Sequence, residues 1–169
     1  MMLIQNKAGN LATVEINQRK VDYVLLEWHE SNKRILRKTT QSGKEIAIQF
    51  LNKNPEFTEG DILFADEETI IAVCIQPCDC IVLQPKNMFE MATMCYEIGN
   101  KHLPLFYEAG QLLVPFEMPL FKLLSAQNFD VQQATKKLLQ PLKTTVTPHH
   151  IAISDNLFST IVNQQNLPV

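Results

Sequence analysis

The chain has no excess of positive charge. Its 169 residues carry 15 basic and 18 acidic side chains, and the formal net charge is -3 with neutral histidines. Proteins that bind a phosphate backbone or an anionic membrane surface usually carry a positive balance. The composition therefore predicts no nucleic-acid partner and no membrane partner.

Long apolar runs are also missing. No segment approaches the roughly 20 apolar residues that span a bilayer, and the segment Met1–Lys7 lacks the basic run and apolar core of a secretory leader. We therefore expect a cytoplasmic protein, in which cysteines stay reduced. The thiols are then candidates for metal binding or burial rather than for a disulfide framework. They are Cys74, Cys78, Cys80 and Cys95.

The motifs of common enzyme classes are absent from the sequence. It contains no phosphate-binding glycine loop, no G-x-S-x-G elbow, no H-E-x-x-H and no G-x-G-x-x-G. A thiol-imidazole pair of Cys95 and His102 is conceivable, but Cys95 falls on the apolar face of a predicted helix. An activated thiolate needs a partly exposed, electropositive setting. We predict that the protein is not an enzyme.

The hydrophobic content of 46% is sufficient for a folded core in one domain or two small ones. In the first part of the chain, Val21–Trp28 is an apolar run and Glu45–Leu51 alternates. Residues 61–75 are strand-like apart from a break near Asp66. These patterns predict a small, mainly antiparallel β-domain over residues 1–75.

The clearest helix follows a strand predicted over residues 79–83. Asn87 can cap it and Glu90 completes an arrangement like a capping box. Gly99 supplies a left-handed residue that ends the helix. The apolar face has three- and four-residue spacing and consists of Met88, Met91, Cys95 and Ile98.

The segments after this helix complete a recognisable order of elements. Leu103–Tyr107 and Gln111–Pro115 flank a turn at Glu108-Ala109-Gly110, which predicts a hairpin. A second helix starts around Glu117 to Pro119 with Leu120, Leu123 and Leu124 inward. A last element begins near Phe129, although residues 131–140 suit a helix as well as a strand.

This order is that of a ferredoxin-like, or split βαβ, unit. The sequence thus predicts an α+β protein with three parts. They are a small N-terminal β-domain, a ferredoxin-like domain over residues 76–142 and a flexible C-terminal tail over residues 143–169.

The histidines are few: His29, His102, His149 and His150. His102 lies between a glycine and Pro104 in a stiff loop, where it is either a helix-end residue or a ligand for nickel, copper or zinc. The pattern alone favours the structural role. One imidazole holds a metal weakly, but a twofold axis would pair two copies. His149 and His150 in the tail could reach such a site, whereas His29 is expected at an exposed strand end.

The spacing C-x₃-C-x-C of Cys74, Cys78 and Cys80 also raises the possibility of a soft metal. It differs from the C-x₂-C spacing of zinc knuckles, and the surrounding residues are strand-like. We favour burial of these thiols as small apolar side chains, and of Cys95 in a helix core.

The segment Gly99-Asn100-Lys101-His102-Leu103-Pro104-Leu105, placed after the helix over residues 90–98, resembles the G-N-[RK]-H-x-P-L motif of the UreE family of urease accessory metallochaperones. The resemblance extends over nearly the whole chain. It implies an N-terminal β-domain likened to a chaperone peptide-binding module, a ferredoxin-like metal-binding domain and a variable tail.

The resemblance further implies that His102 binds Ni²⁺ at a homodimer interface together with its symmetry mate, and that His149 and His150 are auxiliary ligands. Zn²⁺ and Cu²⁺ would compete for such a site. The implied partners are a nickel-inserting GTPase accessory protein and, through it, apo-urease. Many members have another histidine near the start of the second helix, where this chain has residues 116–119 without one.

Two other functions stay open at this point. The protein could be a peptide-binding interaction module in which His102 is structural. It could instead be a zinc- or redox-responsive protein built on Cys74, Cys78 and Cys80.

Overall fold

The computed structural model describes residues 1–51 and 54–143. The N-terminal half of the described chain contains seven strands and a 3₁₀ turn over Trp28–Glu30. The strands are β1 (Met2–Ile4), β2 (Gly9–Asn10), β3 (Lys20–Leu26), β4 (Ile35–Thr39), β5 (Glu45–Gln49), β6 (Asp61–Ala65) and β7 (Thr69–Ile75).

These strands form two sheets, in the orders β1-β5-β4 and β2-β6-β7-β3. Both sheets contribute apolar side chains to one buried cluster, for example Ile46 and Ile48 from β5 and Ile71 and Val73 from β7. The alternation in β5 buries every second residue, as expected for a strand with one face on a core. The N-terminal half is therefore a β-domain, as the sequence predicts.

The strands of the N-terminal half are not all paired antiparallel, although the sequence predicts this for most of them. The β4–β5, β6–β7 and β2–β6 pairs are antiparallel, whereas β1 pairs with β5 and β3 pairs with β7 in parallel. Tight turns join strands in antiparallel pairs, while parallel partners need a long connection. Here the parallel partners are strands that lie far apart in sequence, and such distant pairing leaves no local pattern.

A buried carboxylate fastens the start of β6 to the N-terminal segment. Asp61 accepts hydrogen bonds from the backbone N–H of Thr58 at 2.8 Å and from Asn10 Nδ2 at 3.1 Å, and it pairs with Lys7 at 2.6 Å. Burial by itself would raise the pKa of Asp61, but these hydrogen bonds and the Lys7 charge outweigh it, so the pKa lies below its usual value.

The C-terminal half has the predicted βαββαβ order. Its strands are β8 (Cys78–Leu83), β9 (Phe106–Glu108), β10 (Gln111–Pro115) and β11 (Val131–Lys136), and its helices are α1 (Met88–Asn100) and α2 (Met118–Ala126). The antiparallel sheet has the order β11-β8-β10-β9. This confirms the split βαβ fold, and the ambiguous last element is a strand. Neither described helix has the length and apolar character needed to cross a membrane.

The two faces of this sheet are covered differently. Both helices pack on one face through a cluster that includes Ile98 of α1 and Leu124 of α2. The opposite face carries Cys80, Val82 and Leu113, and Trp28 of the N-terminal half packs against the same cluster. The rings of Trp28 and Phe106 meet edge to face at 5.8 Å. The back of the C-terminal sheet is thus a contact between the two halves of the chain.

After β11 the chain crosses this back face in a segment that we call the strap, residues 137–143. Leu138 of the strap is 3% exposed. At the far edge of the sheet, Tyr107 N–H donates to the Gln140 carbonyl at 3.0 Å and Leu142 N–H donates to the Leu105 carbonyl at 2.7 Å. The strap therefore begins at β11 and ends beside β9.

Candidate metal centre

The helix that leads to His102 starts as predicted. Asn87 Oδ1 accepts the backbone N–H of Glu90 at 2.9 Å, which satisfies one of the free amides of the first turn. The Glu90 carboxylate accepts the N–H of Lys86 at 2.8 Å rather than that of Asn87, so the box is displaced by one residue. Asn87 anchors the first turn of α1.

The end of α1 differs from the prediction. Gly99 is a helical residue with ordinary backbone angles, and the left-handed residue is His102 itself, at φ 55°. His102 N–H donates to the Gly99 carbonyl at 3.0 Å and Leu103 N–H donates to the Ile98 carbonyl at 3.4 Å. This pair of bonds is a Schellman motif with histidine at the position that is usually glycine. Gly99 therefore does not end the helix.

The motif fixes the backbone of His102 while leaving its side chain in solvent. Leu103 packs against the cluster that contains buried Ile98, and Pro104 prevents the helix from continuing. His102 is exposed. An imidazole on a fixed backbone and open to solvent is accessible to a metal ion.

The exposed face of α1 continues toward His102 and is uncharged. The three large side chains on it are Met88, 82% exposed, Phe89, 80% exposed, and Tyr96, 69% exposed. Ala92 and Gly99 are also exposed on this helix. Met88 was expected on the buried face, but the core-facing residues are Met94 and Ile98, with Met91 and Cys95 partly buried beside them.

Sequence reasoning missed this exposed face, because it searched for the apolar stripe that faces the core. The available signal was the seven-residue interval between Phe89 and Tyr96, both of which lie off the buried stripe. We call the set Met88, Phe89, Ala92, Tyr96 and Gly99 the α1 face.

The strap places the start of the tail close to this helix end. Leu142 is hydrogen bonded to Leu105, which follows His102 by three residues. Lys143 forms an ion pair with Glu56 at 2.6 Å. The predicted auxiliary ligands His149 and His150 lie outside the described residues.

The three clustered cysteines lie on two different strands. Cys74 lies in β7, whereas Cys78 and Cys80 lie in β8 of the other half. Cys80 is fully buried and its thiol contacts the Ala134 carbonyl at 3.2 Å. Burial raises the pKa of both β8 thiols, with the neighbouring Cys80 adding to the effect at Cys78. A raised pKa disfavours the thiolate, which is the form of cysteine that binds metals.

The remaining thiols offer no metal site either. Cys74 contacts Lys137 Nζ at 3.4 Å, and that ammonium also pairs with Glu59 at 2.8 Å. Burial raises the pKa of Cys95, which argues against a thiolate-imidazole pair with His102. Within residues 1–51 and 54–143, no group of three or more His, Cys, Asp or Glu side chains could hold a metal ion.

The other imidazole of the described chain is set apart from these groups. His29 lies exposed in the 3₁₀ turn, where its ring stands edge to face with Trp28 at 5.4 Å. At the start of α2, Glu117 occupies the N-cap position and Met118 is 50% exposed. Within the described residues, His102 is therefore a candidate ligand that belongs to no group of three or more metal-binding side chains.

The sequence matches two family descriptions that together cover most of the chain. Residues 4–76 match "UreE urease accessory protein, N-terminal domain", and residues 78–152 match the corresponding C-terminal domain. The chain belongs to the UreE family. Membership in this urease accessory family agrees with the two-part α+β architecture and with the prediction that the protein is not an enzyme.

Curated relatives support the same family over nearly full length. A urease accessory protein UreE of Flavobacterium johnsoniae is 44% identical over 162 residues, covering 96% of this chain and 98% of the relative. One from Haemophilus influenzae is 40% identical over 88% of this chain and 82% of its own length. One from Helicobacter acinonychis is also 40% identical, over 88% and 89%.

Proposed function

We propose that this UreE-family protein is a nickel metallochaperone that holds Ni²⁺ between two copies of itself and delivers it for assembly of the urease active site. His102 of each copy binds the ion. His149 and His150 of the tail supply further ligands. The observation that supports this proposal most directly is the exposed imidazole of His102 on a backbone fixed by the Schellman motif.

A second copy of the chain supplies the additional metal ligands that one copy lacks. A metal ion needs several ligands, and one chain places a single exposed imidazole at the end of α1. In a twofold dimer the same surface patch meets itself, so every ligand occurs twice. The α1 face suits such self-contact because it is apolar and carries no charge that would repel its own copy.

The tail histidines are within reach of this site by chain length. His149 follows Leu142 by seven residue steps, a distance of up to about 24 Å in an extended chain. Leu142 is itself fixed beside Leu105, three residues after His102. A ligand tethered this closely acts at a high effective concentration.

An all-imidazole site suits delivery rather than storage. Imidazoles with open positions exchange metal more readily than a closed Cys₄ or Cys₂His₂ site. Zn²⁺ and Cu²⁺ compete, since imidazole sites do not select nickel by affinity alone. Nickel binding weakens on acidification because only the neutral ring coordinates a metal.

The proposed recipients follow from the family's role in urease maturation. The ion passes to a GTPase accessory protein that inserts nickel, and through it to apo-urease. The protein itself performs no chemical step on the ion. Its task is to bind, retain and release it.

Native mass spectrometry of the full chain with and without Ni²⁺ tests the proposal. We expect a homodimer that takes up one ion per dimer, and loss of that ion in His102→Ala. His29→Ala is the matched control, because it removes an exposed imidazole that lies in the other half of the chain. It should leave the stoichiometry unchanged.

A nickel titration of His149→Ala and His150→Ala measures the contribution of the tail. We expect weaker binding at unchanged dimer mass, with a larger loss in the double variant. Unchanged nickel stoichiometry and affinity in His102→Ala, or nickel bound by a monomer, would contradict the proposed function.

A further inference from the structure

Gly99 is a glycine that the single chain does not require. It lies in the last turn of α1 with ordinary helical backbone angles, so no positive φ demands it. Apart from its two chain neighbours and the backbone of its own helix, a Cβ built on it meets no atom of residues 1–51 or 54–143 within 4 Å. A glycine inside a helix is less stable than alanine by roughly 1 kcal/mol. Alanine would therefore suit the isolated chain better.

The residues around Gly99 indicate that a side chain at this position would interfere with contact between two copies of α1. Ala92, Tyr96 and Gly99 follow one another at helical spacings of four and three residues, and all three are exposed. A small residue thus lies on each side of Tyr96. A surface with one large side chain between two small ones can interdigitate with a copy of itself.

We propose that Gly99 is the point of closest approach between the α1 helices of two copies, and that its missing side chain sets the distance between the two His102 imidazoles. This inference rests on the proposed dimeric nickel site. It identifies Gly99 as a positioning residue, because it touches the partner helix and not the metal.

The distance between the two His102 imidazoles matters because metal–nitrogen bond lengths vary little. Imidazole nitrogens bind first-row metals at about 2 Å, as in zinc sites. Packed helices lie about 8–10 Å apart, and the side chains at the contact decide the value. His102 follows Gly99 by three residues and its backbone is bonded to the Gly99 carbonyl. A methyl group at position 99 in both copies would move both imidazoles apart.

The test uses Gly99→Ala in the full chain. We expect a dimer at least about tenfold weaker by analytical ultracentrifugation and nickel affinity per dimer reduced by a similar factor. Below the dimer dissociation constant, the monomer should melt at a higher temperature than wild type. The opposite signs of these two effects distinguish an interface residue from a merely structural one.

The matched control is Ser125→Ala. Ser125 occupies the position in α2 that Gly99 occupies in α1, and it is exposed. It should change neither dimerisation nor nickel affinity. A larger side chain in Gly99→Leu should weaken dimer and nickel binding further than Gly99→Ala, which keeps the test valid if one variant folds poorly.

The outcomes separate this inference from the function on which it rests. If Gly99→Ala and Gly99→Leu both dimerise and bind nickel as wild type does, while His102→Ala loses nickel, the role of Gly99 is wrong and the proposed function stands. If wild type is monomeric with nickel bound, both are wrong.

Discussion

The two helices of the C-terminal half end in the same backbone geometry but with different residues. His102 after α1 has φ 55° and Asn128 after α2 has φ 59°. At each end, one amide donates to a carbonyl three residues back and the next donates to one five residues back. Glycine is the usual residue at this left-handed position and asparagine the common alternative, whereas α1 has histidine there.

The difference shows which helix end is adapted to local stability. At the end of α2, sequence and backbone geometry agree. At the end of α1, glycine occupies a helical position that favours alanine, and histidine occupies a left-handed position that favours glycine. Departures from local preference of this kind concentrate at functional sites. This contrast is what we expect if His102 and Gly99 serve the proposed dimeric nickel site.

The largest effect we expect is the loss of stability when the buried side chain at either helix end is shortened. This loss should be similar at the two ends. The carbonyls of Ile98 and Leu124 each accept a hydrogen bond in the two motifs, from Leu103 N–H and from Phe129 N–H, and both side chains are fully buried. Ile98→Ala and Leu124→Ala should each lower the free energy of unfolding by about 2–5 kcal/mol, because each leaves a cavity. Urea unfolding measures both. A cost below about 1 kcal/mol at either site would mean that the two ends are not anchored alike.

The next largest effect is a change in stability that should differ between the ends of α1 and α2. His102→Gly should raise the free energy of unfolding by about 0.5–1 kcal/mol, since glycine adopts positive φ without strain. The same variant should weaken nickel binding by at least about a hundredfold, a loss on the scale of disrupted metal ligation. Thermal unfolding and a nickel titration measure the two changes.

Asn128→Gly is the control for that variant. Its free energy of unfolding should stay within about 0.5 kcal/mol of wild type, because asparagine already tolerates the left-handed conformation. Nickel binding should not change. Equal stabilisation by the two glycine variants would remove the distinction between the helix ends.

The smallest effect extends the comparison to the helix starts. Asn87 makes a side-chain cap bond in α1, whereas Glu117 at the start of α2 makes none. Asn87→Ala should cost about 1 kcal/mol and Glu117→Ala less than about 0.5 kcal/mol. Helix stability followed by amide exchange checks both. A larger loss in Glu117→Ala would mean that this side chain supports α2 by another route.

Local rules predicted most of the C-terminal fold. Asn87 begins a helix, and the turn at Ala109-Gly110 joins β9 and β10 because both residues adopt positive φ. The same rules misplaced the end of α1 because a glycine is the usual indicator of a left-handed residue. A histidine in that role has no distinctive sequence pattern.

Non-local features were beyond sequence reasoning. Strands β1, β2 and β4 are short, and β4 combines Arg37 and Lys38 with apolar neighbours, so the alternation is weak. Parallel pairing of distant strands and the exposed α1 face depend on tertiary packing. The motif identified His102 as a candidate ligand, but it did not show that Gly99 is free of any local requirement.

The strap also determines how the edge of the C-terminal sheet meets solvent. An open strand edge presents unpaired amides and carbonyls that recruit other chains into aggregates. Residues 140–142 cover the outer edge of β9, where Phe106 lies opposite Pro141 and proline offers no donor of its own. A chain shortened to remove the tail should therefore keep residues 137–143, because a cut that removes residues 140–142 would uncover this aggregation-prone edge of β9.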